Sequence, residues 1–147
     1  MLKAALDQVG FEVQLKPEPW NRITELATKS DSTPAMAQIF NTANYPSPDS
    51  VFYVQYHSKG AGTYSSMSWI KSPEIDDLID SARQEVDSAK QNEIYKTLQH
   101  KLVEDQSDVY VLAALERHGM HKCLDGYTWL PIISFGYNFS KFRWTCN

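Results

Sequence analysis

Several groups of side chains have the composition that chemistry requires. The acid run Glu74, Asp76, Asp77 and Asp80 offers the paired carboxylates of general acid–base catalysis. Asp76 and Asp80, however, stand one helical turn apart and face away from the Ile75/Ile79 stripe, which reads as a solvated helix face. His118, His121 and Cys123 carry ligands for a transition metal, and a closed site takes three or four that converge. On a strand, residues 121 and 123 share a face while 118 points away, so surface or hydrogen-bonded histidines are expected instead. His57 and His100 are isolated. Ser65, Ser66 and Ser72 have no neighbouring base by motif, and no G-x-S-x-G occurs. Gly60-Ala61-Gly62 is followed by loop sequence, not by a helix, which excludes a phosphate-binding glycine loop. No catalytic set, metal site or cofactor is expected from these residues.

The stretch Ala35 to Ser50 is more informative. Ala35 to Phe40 reads as a strand ending in the polar run Asn41-Thr42-Ala43-Asn44, and Tyr45-Pro46-Ser47-Pro48-Asp49-Ser50 then opens a short aromatic helix. A polar strand end running into a helix N-terminus collects ligands, because free backbone N–H groups converge there. The candidate ligand contacts are Asn41, Thr42, Asn44 and Tyr45, with Trp69 as an aromatic that could stack on a ligand. Asp49 reads as a first-turn acid of the helix rather than as a contact.

These residues must be positioned by the surrounding elements. Leu2, Ala5, Leu6 and Val9 keep helical spacing, and Gly10 sits where a left-handed C-cap belongs. Phe11, Val13 and Leu15 alternate with polar residues as in a half-buried strand, which Pro17 and Pro19 end. Trp20 leads a short helix through Leu26, Ser30 to Pro34 is a turn, and Ser58 to Ser68 is a Gly- and Ser-rich loop. Ser72-Pro73-Glu74 is a helix start with Ser as N-cap, and Ile75, Leu78, Ile79 and Ala82 form its buried stripe. A second helix runs from Asp87 or Ser88 to about Glu104, with Ile94, Tyr95, Leu98 and Leu102 inward. Val109 to Leu115 reads as a buried strand and Gly119 to Cys123 as its partner; the aromatic remainder, from Gly126 on, is irregular. Alternating strands and helices argue for an α/β architecture in a single domain over residues 1–147, a mixed sheet flanked by helices.

Composition narrows the function classes. At 42% hydrophobic and 22% charged residues, the chain has the makeup of a folded protein rather than a disordered one. A net charge of −4 without a basic stripe argues against nucleic acid as a partner. No apolar run reaches the roughly 18 residues of a membrane span, and the N-terminus enters an amphipathic helix without a signal peptide. Cys123 and Cys146 are either free buried thiols or, in an oxidising compartment, a disulfide tying down the C-terminus. The first helix has an apolar face and no strand before it, so preceding sequence is expected to be missing.

The order of these segments resembles the C-terminal part of the family 5 extracellular solute-binding proteins of ABC importers, which include dipeptide, oligopeptide and nickel binders. The resemblance is carried by Leu6-Asp7-Gln8-Val9-Gly10-Phe11-Glu12-Val13 with the following Trp20, and by Tyr45-Pro46-Ser47-Pro48-Asp49-Ser50. It continues through Ser72-Pro73-Glu74-Ile75-Asp76-Asp77-Leu78-Ile79, the run Asp87 to Leu102 with Tyr95, and Gly126-Tyr127-Thr128-Trp129. The ordered set, rather than any single match, is what is similar. It implies part of one lobe of a two-lobed, type II periplasmic-binding-protein-like fold that lacks its N-terminal lobe. It further implies a non-catalytic, substrate-binding component working in the periplasm or another extracytoplasmic space. The implied partners are a small or peptide-like solute and ABC transporter permease subunits. The resemblance places Asn44 where peptide binders carry an Asp for the ligand's α-amino group, and Gln38 where an oligopeptide binder can carry Arg. A neutral Asn accepts a hydrogen bond but cannot supply the charge-assisted one.

Two other readings compete. One is a stand-alone interaction domain whose partner surface is Phe135, Tyr137, Phe139, Phe142 and Trp144. The other is a small metal-dependent enzyme built on His118, His121 and the acids, which requires those residues to converge in one cleft.

Overall fold

The computed structural model describes residues 2–113, 115, 117–130 and 136–146. Among these residues five α-helices, two short 3-10 helices (Ser58–Gly60 and Phe139–Lys141) and a two-stranded antiparallel sheet form a mixed α and β architecture. Helix α1 (Leu2–Gln8) ends where expected: Gly10 has φ +92°, and the Phe11 and Gly10 N–H groups donate back to the Leu6 and Asp7 carbonyls at 3.0 and 3.2 Å. That is a Schellman cap, which satisfies carbonyls the helix itself cannot. Helix α2 (Trp20–Leu26) follows Pro19, and Ala27 at its C-cap is buried.

The core is helical. Helix α3 (Asp49–Tyr56) packs on α4 (Pro73–Gln84), and α4 packs on α5 (Ser88–Glu104). Ser72 caps α4 by accepting the Ile75 N–H at 3.4 Å, with Pro73 at the first helical position. Asp87 caps α5 by accepting the Ala89 and Lys90 N–H groups at 2.9 and 3.0 Å. Gln91 reaches back to the Ala82 carbonyl at 2.8 Å, so the tight α4–α5 turn leaves that carbonyl satisfied. Between these caps Ile75, Ile79, Ala82, Tyr95, Leu98 and Leu102 close on one another and on Tyr56 of α3. Stripe spacing of three and four residues places all of them on facing sides of two helices.

Strands β1 (Leu124–Asp125) and β2 (Arg143–Trp144) pair Leu124 with Trp144 and Asp125 with Arg143. A Cys123–Cys146 disulfide and the Thr145 N–H bond to the Cys123 carbonyl, 2.8 Å, hold the pair together. Gly126 has φ +90°, and a Cβ there would lie 1.9 Å from the Lys141 carbonyl oxygen, so only glycine lets the chain turn at this point.

Among the described residues the expected mixed sheet is not formed. Phe11 to Leu15, Ala35 to Phe40, the described residues of Val109 to Leu115, and Gly119 to Cys123 carry no strand pairing. A strand needs a neighbour for its backbone N–H and C=O groups, and among the described residues these segments meet none. The buried strand read at Val109 to Leu115 is corrected most sharply: Val109, Tyr110, Val111 and Leu112 are exposed and Leu115 is 87% exposed. Phe135, one of the aromatic residues singled out from sequence, lies outside the described residues.

Leu98 is fully buried between α4 and α5, so Leu98→Ala is expected to cost about 2–5 kcal/mol in urea unfolding. The same helix's exposed Val103→Ala should stay within about 0.5 kcal/mol of the parent.

Candidate functional site

Two of the sequence-predicted residues, Asn41 and Tyr45, contact α3. Tyr45, Ser47 and Asp49 build its N-terminal approach: the Tyr45 hydroxyl donates to Asp49 Oδ2 at 2.6 Å, and the Ser47 hydroxyl donates to Asp49 Oδ1. The Arg83 Nε lies 3.8 Å from Asp49 Oδ2, and its guanidinium sits 4.1 Å over the Tyr53 ring. Burial pushes the Asp49 carboxyl up, but the bonds from Ser47 and Tyr45 and the Arg83 charge outweigh it and hold the carboxyl below its ordinary range. The partner effect raises the Tyr45 hydroxyl, mainly because it donates to a carboxylate.

The expectation of free N–H groups at the start of α3 is corrected. The Ser50 N–H donates to the Ser47 carbonyl at 3.1 Å, and the Val51 and Phe52 N–H groups to the Pro48 carbonyl at 3.0 Å. Pro48 already has a helical backbone, φ −58° and ψ −32°, so the entry turn supplies its own acceptors. Asp49 is a first-turn acid, as read from sequence.

Asn41 is held at the other end of α3. Its Nδ2 donates to Gln55 Oε1 at 2.7 Å, and Gln55 Nε2 donates to Asp108 Oδ2 at 2.9 Å. The same carboxylate oxygen accepts the Tyr56 hydroxyl at 2.6 Å, and Tyr110 lies 3.0 Å from that hydroxyl. Burial, then these bonds, drive the Tyr56 hydroxyl far above its ordinary value, so it stays a neutral donor. Thr42 and Asn44 are exposed between the two ends. Trp69 is tied elsewhere: its Nε1–H donates to Thr33 Oγ1 at 2.9 Å, and its backbone stands at φ +54°, a rare conformation for a bulky residue.

Sequence reasoning missed the side chains after α3. His57, read as isolated, is 2% exposed and lies between two acids of α4: Nδ1 is 3.5 Å from Asp76 Oδ1 and Nε2 is 3.5 Å from Asp80 Oδ2. Asp76 also accepts the Ser58 N–H at 2.8 Å and the Ser58 hydroxyl. The solvated-face reading is thereby corrected for Asp76, which the loop after α3 covers, while the Asp80 side chain stays 41% exposed. A helical wheel marks a face as polar but does not report what packs on it. Ser58, His57 and Asp76 do not form a nucleophile–base relay, since the hydroxyl donates to the carboxylate and not to the imidazole.

His118 and His121 do not join these acids. His118 Nδ1 lies 2.9 Å from the Tyr137 hydroxyl and its ring meets Tyr127 at 4.9 Å, while His121 stacks on Trp144 at 5.0 Å. Cys123 is committed to its disulfide. Among the described residues no group of three or more His, Cys, Asp and Glu side chains is placed to hold a metal ion, and no helix is long and apolar enough to cross a membrane. An open cleft of about 450 Å³ runs from Pro48 along Asn92, Tyr95 and Gln99, outside the Asn41–Asn44 segment. No protein-family model, curated protein or solved structure matches this chain.

Because the folded Asp49 carboxyl titrates below its ordinary range, its contribution is complete above about pH 4 and fades as acid protonates the folded carboxylate. Asp49→Asn is expected to cost about 1–2 kcal/mol at neutral pH, measured by urea unfolding. Between about pH 4 and pH 2 the parent should lose stability more steeply than the variant, and equal slopes would remove Asp49 from this role.

Proposed function

We propose that this chain is the C-terminal portion of one lobe of a two-lobed solute-binding protein of the family 5 type, the substrate-binding component of an ABC importer. One observation carries the reading. A helical core is flanked by Phe11 to Leu15, Ala35 to Phe40 and the described residues of 109–115, apolar segments in which Phe11, Leu15, Met36, Phe40 and Val109 to Leu112 stand exposed and which have no strand partners among the described residues. Leu15, for example, is 74% exposed. A helical layer of this kind is completed by a sheet, and strands of the remainder of a type II lobe would supply it. The chain order of these segments and helices is the order of the resemblance.

In this reading the solute is captured between the lobes, and closure shifts the population toward a form that docks on the permease subunits. Asn41, Thr42, Asn44 and Tyr45 line the cleft from this side, with Trp69 as the aromatic contact. Exposed Asn44 presents a neutral acceptor and donor, which suits an uncharged polar group of a peptide-like or other small solute better than an ammonium. The Cys123–Cys146 disulfide supports an extracytoplasmic setting, where such bonds persist. Alone, the chain holds only part of the pocket and should bind weakly, since affinity depends on burying most of the ligand.

A second reading has one observation in its favour. Tyr137 meets Phe139 and Phe142 at 5.9 and 6.2 Å, and Phe139 is 73% exposed, which gives an aromatic surface suited to a protein partner.

Intact-mass measurement of the endogenous product separates the two: a product several times longer than 147 residues is expected, and one of 147 residues overturns the two-lobe reading. A thermal-shift panel of di- and oligopeptides and other small solutes then identifies the ligand of the full-length protein. Asn44→Ala or Tyr45→Ala there is expected to weaken binding about tenfold, and unchanged affinity in both would remove the 41–45 segment from the site.

A further inference from the structure

The imidazole of His57 occupies a position that the solute-binding reading does not use. It is buried at the junction where α3 ends and the Ser58–Gly60 turn begins, its ring tilted against the Tyr53 ring of α3 at 4.6 Å. Its Nδ1 accepts the Lys59 N–H at 3.1 Å and so caps that turn. A ring nitrogen that accepts a hydrogen bond carries no proton, so the single proton of the neutral ring resides on Nε2. Among the described residues that nitrogen has no hydrogen-bond partner, and it faces Asp80 Oδ2 from 3.5 Å.

A second proton changes both sides of the ring at once. It takes the Nδ1 lone pair, which removes the acceptor for the Lys59 N–H. It also points an N–H at Asp76 Oδ1, 3.5 Å away, while the cation gains Asp80 on the opposite side. The charged groups facing the ring are Asp76 and Asp80 from α4, with Arg83 of α4 on the far carboxylate oxygen of Asp80 at 3.9 Å and the cation of Lys59 in the turn itself. Tyr53 from α3 is the remaining titratable neighbour. Of these charges the two carboxylates reach the ring itself, each 3.5 Å from one of its nitrogens, where an imidazolium would meet them. Asp76 meanwhile holds Ser58 through both its N–H and its hydroxyl, so any movement of that carboxylate toward the ring pulls on the same turn.

We propose that His57 is a proton-operated switch that exchanges the cap of the Ser58–Gly60 turn for ion pairs to Asp76 and Asp80. The ring chooses between two discrete sets of partners, and the turn is the element that the choice biases. The proton comes from solvent and no covalent bond changes.

The test is a nitrogen-15 NMR titration of the intact chain between about pH 5 and pH 8, the range in which imidazoles exchange their proton. The His57 ring nitrogens and the Lys59 and Ser58 amides are expected to move together along one titration curve. In His57→Gln the pH-dependent displacement of the Lys59 amide should vanish, and in Asp76→Asn it should fall by at least half. A Lys59 amide that stays still while the ring titrates overturns the switch, as does an unchanged displacement in His57→Gln. A ring that never takes a second proton across the range overturns it as well. The wild-type titration decides the matter even where a variant does not fold.

Discussion

The packing of α4 on α5 is the constraint from which the rest of this structure follows. Ile75, Ile79, Leu98 and Leu102 exclude water between two capped helices, and the short Glu85-Val86-Asp87 connection makes the pair antiparallel. Such a hairpin needs only local contacts, which makes it the part of the chain that can form with least loss of loop entropy. Helix α3 then docks as a third member through Tyr56, with Phe52 stacked 5.4 Å from Tyr95 of α5. Asn41, Tyr45 and His57 all make their contacts to this docked helix.

Helix α3 is rich in β-branched and aromatic residues and only eight residues long, so it has little tendency to stay helical alone. Carboxylates placed around it compensate. Asp49 gathers Tyr45 and Ser47 at its start and approaches Arg83 of α4. Asp108 accepts from Gln55 and Tyr56 in its last turn, and Asp76 of α4 holds Ser58 just beyond its end. Each bond is charge-assisted, and those to Asp108 and Asp76 are part-buried, which makes them stronger than exposed ion pairs such as Lys3–Asp7 or Lys96–Glu93.

What the sequence discloses and what it hides divide along the same physical line. Ser72, Pro73 and Asp87 announce their helices because capping is a local interaction, settled within three residues. The inward stripes of α4 and α5 are legible because spacing alone places them on one face. Strand formation is not local: alternation at Phe11 to Leu15 marks a segment fit to pair, yet pairing requires a neighbour that its own residues cannot provide. The same applies to Asp76, Asp80 and His57, whose contact depends on a loop folding over a helix face. Trp69 was singled out for its ring, while its left-handed backbone and bond to Thr33 follow from contacts 36 residues apart.

These contacts also join regions that sequence reading treats separately. Asn41 follows the unpaired apolar segment Ala35 to Phe40 and Asp108 precedes the one beginning at Val109, and both reach the same side chain, Gln55. Tyr56, the next residue, is at once a core side chain and the donor to Asp108; His57, the one after, meets α4. Three consecutive residues therefore connect the polar 41–45 segment, the 108–110 segment and the acidic face of α4. Displacing the 41–45 segment, by a ligand or by an added strand, must strain the Gln55 amide, which has one oxygen and one nitrogen already engaged on opposite sides. A half-buried amide with both ends committed cannot follow one partner without losing the other. The end of α3 is thus the point where a local event at the candidate ligand segment is felt by the apolar segment beginning at Val109, although no backbone pairing links the two.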